Sequence, residues 1–157
     1  MTEPSATSGQ VASAGWAPSA QEAQPGFSLE LLDRSAQSLR EACRATAPRE
    51  RYLKAHLAAL RAAAALVGAR SRRGEPSRRS LWDALAVLAP ELGEWAAYFA
   101  SSGRRSRLAV RGETAWVGSR EADDLVRAAQ TFLDLVGRRL GATAPVSGPL
   151  RLAPLSH

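Results

Sequence analysis

Residues 51–68, RYLKAHLAALRAAAALVG, decide the fold class, because Leu53, Leu57, Leu60, Ala64 and Val67 recur at steps of four, three, four and three. That spacing returns to one side of a 3.6-residue helix and has no period of two, so the segment predicts an amphipathic helix. Thr46, Ala47 and Pro48 mark its start, with Pro48 in the first turn, where a missing N–H leaves no helical bond unmade. The helix is expected to run to about Arg70.

Working outward, the same pattern recurs on both sides. Before it, Ser28 is an N-cap residue type, and Leu32, Ala36, Leu39 and Cys43 follow at helical steps. Cys43 is thereby expected on the buried stripe as a small hydrophobe. After it, Ser80 with Asp83 resembles a capping box opening a helix whose apolar positions include Trp82, Leu85, Leu92, Trp95 and Phe99. Pro90 interrupts that helix and predicts a kink or restart between Leu88 and Glu91. A last helix is expected after Ser119, with Glu121, Asp123 and Asp124 near its positive end, and Arg138 and Arg139 in its final turn. Its buried face is Leu125, Ala129, Phe132, Leu133, Val136 and Leu140. The fold expected is an all-α, up-and-down bundle of four to five helices over residues 28–141.

Two flanking segments differ in composition. Residues 1–27 are rich in Ser, Ala, Gly, Pro and Gln, and residues 142–157 contain Pro and Ser; both are expected to be disordered tails. Trp16 is the one residue of the first tail able to dock on anything.

Composition narrows the classes further. A chain of 157 residues that is 45% hydrophobic is long enough for one real core. Its longest apolar run, Leu57 to Gly68, is cut by Arg61, so no membrane span is expected, and Glu3 without a following apolar segment predicts no export signal. A cytoplasmic location is the expectation. The single cysteine excludes an internal disulfide and a cysteine-based metal site within one chain, and no metal or cofactor is expected. The charge is +6, and Lys54 is the only lysine among the basic residues. Arginine richness permits phosphate-bearing partners such as RNA or a nucleotide, and it is equally what a GC-rich genome produces by codon supply.

Two basic stretches concentrate the charge. The first, SRRGEPSRR, carries Arg72, Arg73, Arg78 and Arg79 in a breaker-rich loop. The second carries Arg104, Arg105, Arg107 and Arg111 in a region of weak periodicity ending near Trp116 and Gly118.

His56 is the only histidine besides His157, so acid–base chemistry near neutral pH would use it most simply. On a regular helix, residues seven apart return to nearly one side, which groups Arg49 with His56 and places Tyr52 one turn from each. Arg51 points about 140° away from His56 unless the first turn is unwound. The face continues as Ala59 and Ala63, small enough for another helix to approach, and a symmetric dimer on it would pair two Arg/Tyr/His sets. Alternatively, His56 packs at the core edge and both arginines are solvated. No phosphate-binding glycine loop or nucleophile elbow occurs.

The blocks RERYLKAHLAALRAAAALVGAR (49–70), LWDALAVLAPELGEWAAYFA (81–100) and SREADDLVRAAQTFLDLVGRRLG (119–141) resemble the small actinobacterial branch of the HEPN superfamily, the higher eukaryotes and prokaryotes nucleotide-binding domains. The resemblance covers about Leu29 to Gly141. It implies a helical bundle that dimerises, and in many members a metal-independent endoribonuclease marked by an arginine, four to six residues and a histidine. Arg51 and His56 enclose four residues; Arg49 and His56 enclose six. In such an enzyme His56 would serve as general acid or base for attack of a ribose 2′-OH on phosphate, with an arginine stabilising the phosphoryl oxygens. Active members commonly carry the motif at the start of a late helix, whereas here it lies on the second, and the toxin variant has tyrosine two residues after the histidine, where this chain has Ala58. Three functions remain open: an RNA- or nucleotide-binding homodimer, a ribonuclease, and a structural protein-interaction module.

Overall fold

The computed structural model describes residues 25–71, 80–111 and 117–141. Its helices are α1 (Pro25–Arg44), α2 (Pro48–Arg70), α3 (Leu81–Leu88), α4 (Gly93–Arg111) and α5 (Ser119–Arg139), with a three-residue 3-10 turn, Pro90–Leu92, between α3 and α4. The architecture is the expected all-α bundle. Among the described residues no helix is long and apolar enough to cross a membrane.

Helix α2 is the axis of the bundle and packs against each of the other four helices. Which of its residues do so differs from the expectation. Ala55, Ala58, Ala59, Ala62, Ala63 and Ala65 are at most 1% exposed, whereas Leu53, Leu57, Leu60 and Ala64 are only partly buried. Of the expected stripe, Val67 alone is in the core. A central helix must let several neighbours approach, and small side chains permit the closest axes; the leucines lie on the side left over.

The most extensive of these contacts is with α1, and serines bond across it. Ser28 Oγ donates to Ala65 O at 2.9 Å, and Ser35 Oγ donates to Ala58 O at 2.6 Å. The step from one bond to the other is seven residues forward on α1 and seven back on α2, so the helices run antiparallel in register. Ser38 accepts from Arg61 Nη1 at 2.7 Å. The buried face of α1 is therefore Ser28, Leu32, Ser35, Ser38, Leu39 and Ala42, and Cys43, expected on that face, is exposed. Hydropathy does not register serines whose hydroxyls find backbone carbonyls on a neighbouring helix. Ser28, read as an N-cap, lies inside α1, which opens three residues earlier at Pro25. Because Ala58 O keeps its own helical donor, Ser35→Ala is expected to cost about 1 kcal/mol, read as a lowered denaturant midpoint at unchanged slope.

The third predicted helix is divided where Pro90 stands. Ser80 caps α3 by accepting from Asp83 N at 3.1 Å; Ala89 then leaves the helical region at φ −137°, ψ 72°, and α4 begins at Gly93. Across this break Trp82 of α3, Trp95 and Phe99 of α4, and Phe132 of α5 form an aromatic centre, with Phe99 and Phe132 centroids 5.0 Å apart. Glu91 in the turn pairs with Arg70 at 3.1 Å and Arg139 at 3.0 Å, which ties the ends of α2 and α5 to the break. Helix α4 extends to Arg111, so the second basic stretch, read as weakly periodic, is helical. Its inward residues there are Ser102, Gly103 and Ser106, which carry no apolar signal.

Candidate functional site

The start of α2 is regular. Arg51 N donates to Ala47 O at 3.0 Å, so the first turn is not unwound, and Arg51 keeps the direction its position dictates. Its Nη2 lies 2.7 Å from Asp123 Oδ1, and its Nη1 donates to the carbonyls of Ala42, Cys43 and Ala45 at 3.0, 3.2 and 3.3 Å. One guanidinium thus closes the open carbonyl end of α1 and fastens it to α5, which is what a planar five-donor fork does well.

Arg49, Tyr52 and His56 do share a side of α2, and all three meet α4. Arg49 is exposed, and its Nη2 reaches Val110 O at 3.5 Å, near the last carbonyls of α4. Tyr52 is 5% exposed and lines a cavity with residues of α4 and α5. Burial, reinforced by the Glu121 carboxylate, pushes its phenol up to about 12. Ala59 and Ala63, expected to receive another chain, are 1% and 0% exposed within this chain's own bundle. The face proposed for a dimer from spacing is therefore already occupied.

His56 is 8% exposed. Its Nδ1 is 2.8 Å from Ser102 Oγ, and that hydroxyl donates to Phe99 O at 3.0 Å. A hydroxyl has one proton, so with that proton committed to Phe99 the bond to His56 requires Nδ1–H as donor, leaving Nε2 as the ring's lone-pair atom. The Trp82 ring lies 6.1 Å from the imidazole at 52°. Gly103 makes room for the other edge: a Cβ there would stand 3.1 Å from Cε1 and 3.2 Å from Nε2. Burial, and then the nearby Arg107 charge, bring the imidazole down to about 4, so it is neutral at physiological pH.

The basic residues divide. Arg105 turns inward to Glu121, with Nε–Oε2 at 2.7 Å and Nη2–Oε1 at 2.9 Å, and that two-point pairing holds the Glu121 carboxyl below the usual range. Arg104, Arg107 and Arg111 are exposed and fall within an arc of about 60° on α4. Arg72, Arg73, Arg78 and Arg79 lie outside the described residues, as do Trp16 and Trp116. Among the described residues no group of three His, Cys, Asp or Glu side chains converges as metal ligands would.

Sequence reasoning missed Trp82, Ser102 and Gly103 as the surroundings of His56. A signal existed: Phe99, Ser102, Gly103 and Ser106 recur at i, i+3, i+4 and i+7, a helical face of small residues behind an aromatic one.

Comparison with curated proteins and with solved structures gives no match. Comparison with family models matches the SAV_6107-like HEPN domain over residues 42–137, more than half of the 157-residue chain. The matched region opens at the end of α1 and holds all of α2 to α4 and nearly all of α5, including the His56 surroundings. The chain belongs to the HEPN superfamily, in its SAV_6107-like group.

Proposed function

We propose that this HEPN domain is a cytoplasmic, dimeric module that binds RNA or a nucleotide. The observation carrying this reading is the exposed row of Arg104, Arg107 and Arg111 on one side of α4. Three guanidinium groups one helical turn apart can each meet a phosphate of one strand, and each contact releases counterions. Arg49 stands at the end of the same helix, bonded to Val110 O, and extends the row. The second subunit would cover Leu53, Leu57, Leu60 and Ala64, an apolar arc on α2 that is not consumed by the chain's own core.

Binding stands ahead of cleavage because His56 is neutral, buried and hydrogen-bonded to Ser102, with Nε2 facing Gly103. A general acid or base must reach the proton it moves. Arg51, the second spacing-compatible arginine, is committed to α1 and Asp123.

Fluorescence anisotropy with a single-stranded RNA, repeated across salt concentrations, tests the reading. Replacing Arg104, Arg107 and Arg111 together by alanine is expected to lower the slope of log affinity against log salt by about 0.7 per lost contact. An unchanged slope, or no binding at low salt, sinks it. Sedimentation of Leu57→Asp should show a monomer where the parent chain is a dimer. The alternatives are separated in the same preparations: RNA cleavage in chelator that disappears in His56→Ala establishes an endoribonuclease, and dimers that bind no RNA establish a structural interaction module.

A further inference from the structure

A second site lies on the other side of α4 from the arginine row. Tyr52 of α2, Tyr98, Ser101 and Ser102 of α4, and Glu121 and Asp124 of α5 line a cavity of about 240 Å³ open to solvent. Three of its hydroxyls, those of Tyr52, Tyr98 and Ser101, make no hydrogen bond to any described residue. Tyr52 matters most, since its side chain is in the core at 5% exposure. Among the described residues the one buried side-chain oxygen without a partner is Ser106 Oγ, so the Tyr52 hydroxyl opens onto the cavity, where a ligand can meet it in place of water.

The chemistry of the wall selects the occupant. Two carboxylates in the wall favour a cation over a phosphate or another anion. Both phenols are pushed up, first by burial and then by these carboxylates, Tyr52 by Glu121 and Tyr98 by Asp124 and Glu121, while the Arg105 charge pulls Tyr52 the other way. Each carboxylate also has an arginine beside it. Arg105 holds Glu121 by two points, and the Arg127–Asp124 contact is an exposed i, i+3 pair, of a kind that contributes little and exchanges readily. No bond engages Asp124 Oδ2 among the described residues. The Tyr98 ring, 43% exposed, offers a face for stacking.

We propose that this cavity binds the guanidinium head of a small organic cation, with Asp124 accepting from its N–H groups, the Tyr52 and Tyr98 hydroxyls completing its hydrogen bonds, and the Tyr98 ring covering its plane. A planar cation with several donors satisfies a carboxylate, phenol oxygens and an aromatic face at once. The site needs no phosphate and no residue of the arginine row, so it stands or falls separately from the RNA-binding reading.

Titration of the full chain with butylguanidine, followed by amide chemical shifts, tests it. Saturable shifts confined to residues around Ser101, Ser102 and Glu121, with a dissociation constant near ~1 mM, are expected. Tyr52→Phe keeps the ring, and Asp124→Asn changes an exposed side chain, so both should fold, as circular dichroism would verify. Each is expected to weaken binding about tenfold, the size of one hydrogen bond to a charged group. The alanine variant of Arg104, Arg107 and Arg111 should bind butylguanidine as the parent does. Shifts that stay linear to the highest concentration overturn the proposal. So does equal binding by Tyr52→Phe and Asp124→Asn, or equal binding of the neutral isostere butylurea.

Discussion

Acidification from pH 7 to pH 4 is expected to remove about 3 kcal/mol of folding stability through His56 alone. The sign follows from which state binds the proton. In the unfolded chain the imidazole titrates near 6.5; in the folded chain burial and Arg107 bring it down to about 4. Between these values the unfolded state carries more protons, so stability rises with pH across that window. Above about pH 7 neither state is protonated at His56, and its contribution is flat; below about pH 4 both are, and the loss is complete. Carboxylates held low by arginines, Glu121 by Arg105 and Glu91 chiefly by its own backbone and by Arg139, add further loss at the acid end. The measurement is therefore a difference. Unfolding free energy of the parent and of His56→Gln, taken by denaturant titration from pH 7.5 to pH 4.5, should converge as pH falls. Parallel curves would mean that His56 is not buried as described. Nitrogen shifts of the imidazole should independently report Nδ1–H at neutral pH, since the Ser102 proton is committed to Phe99 O.

Gly103→Val is expected to destabilise the fold by about 2–3 kcal/mol, against the usual trend for a helix interior. Replacing glycine within a helix ordinarily gains up to ~1 kcal/mol from backbone entropy. Here a Cβ would meet the imidazole at 3.1 and 3.2 Å, and the ring is held by Ser102 on one edge and Trp82 beside it. It can move only by surrendering that hydrogen bond and disturbing the aromatic centre. A double-mutant cycle separates this from a general effect on α4. In a His56→Ala background the extra methyl groups fill space instead of colliding, and Gly103→Val should become neutral or stabilising. Additive energies would show that the collision with His56 is not the cause.

These two expectations concern contacts that lie far apart in the chain, and that separation marks where sequence reasoning ends. Apolar spacing at 3.6 residues is a local property, so the helices around Leu32, Val67, Leu85 and Phe132, the break at Pro90 and the pairing of Arg49 with Tyr52 and His56 on one side of α2 could all be read from sequence. Which side of a helix becomes core is not local. On α2 Ala55, Ala58, Ala59, Ala62, Ala63 and Ala65 went inward and Leu53, Leu57 and Leu60 stayed partly exposed because four helices crowd one axis, and only the assembled bundle says which faces they take. The same holds for α1, where Ser28 and Ser35 are buried because Ala65 and Ala58 carbonyls stand opposite, and Cys43 is exposed because Ala42 took the inward position. In the candidate site the sequence supplied His56 and two arginines at compatible spacings. Tertiary structure assigned Arg51 to the end of α1, Arg105 to Glu121, and His56 to Ser102 and Gly103. A charged or polar side chain acts through what it touches, and for these residues the partners lie between 6 and 72 positions away, beyond the reach of any pattern in the neighbouring sequence.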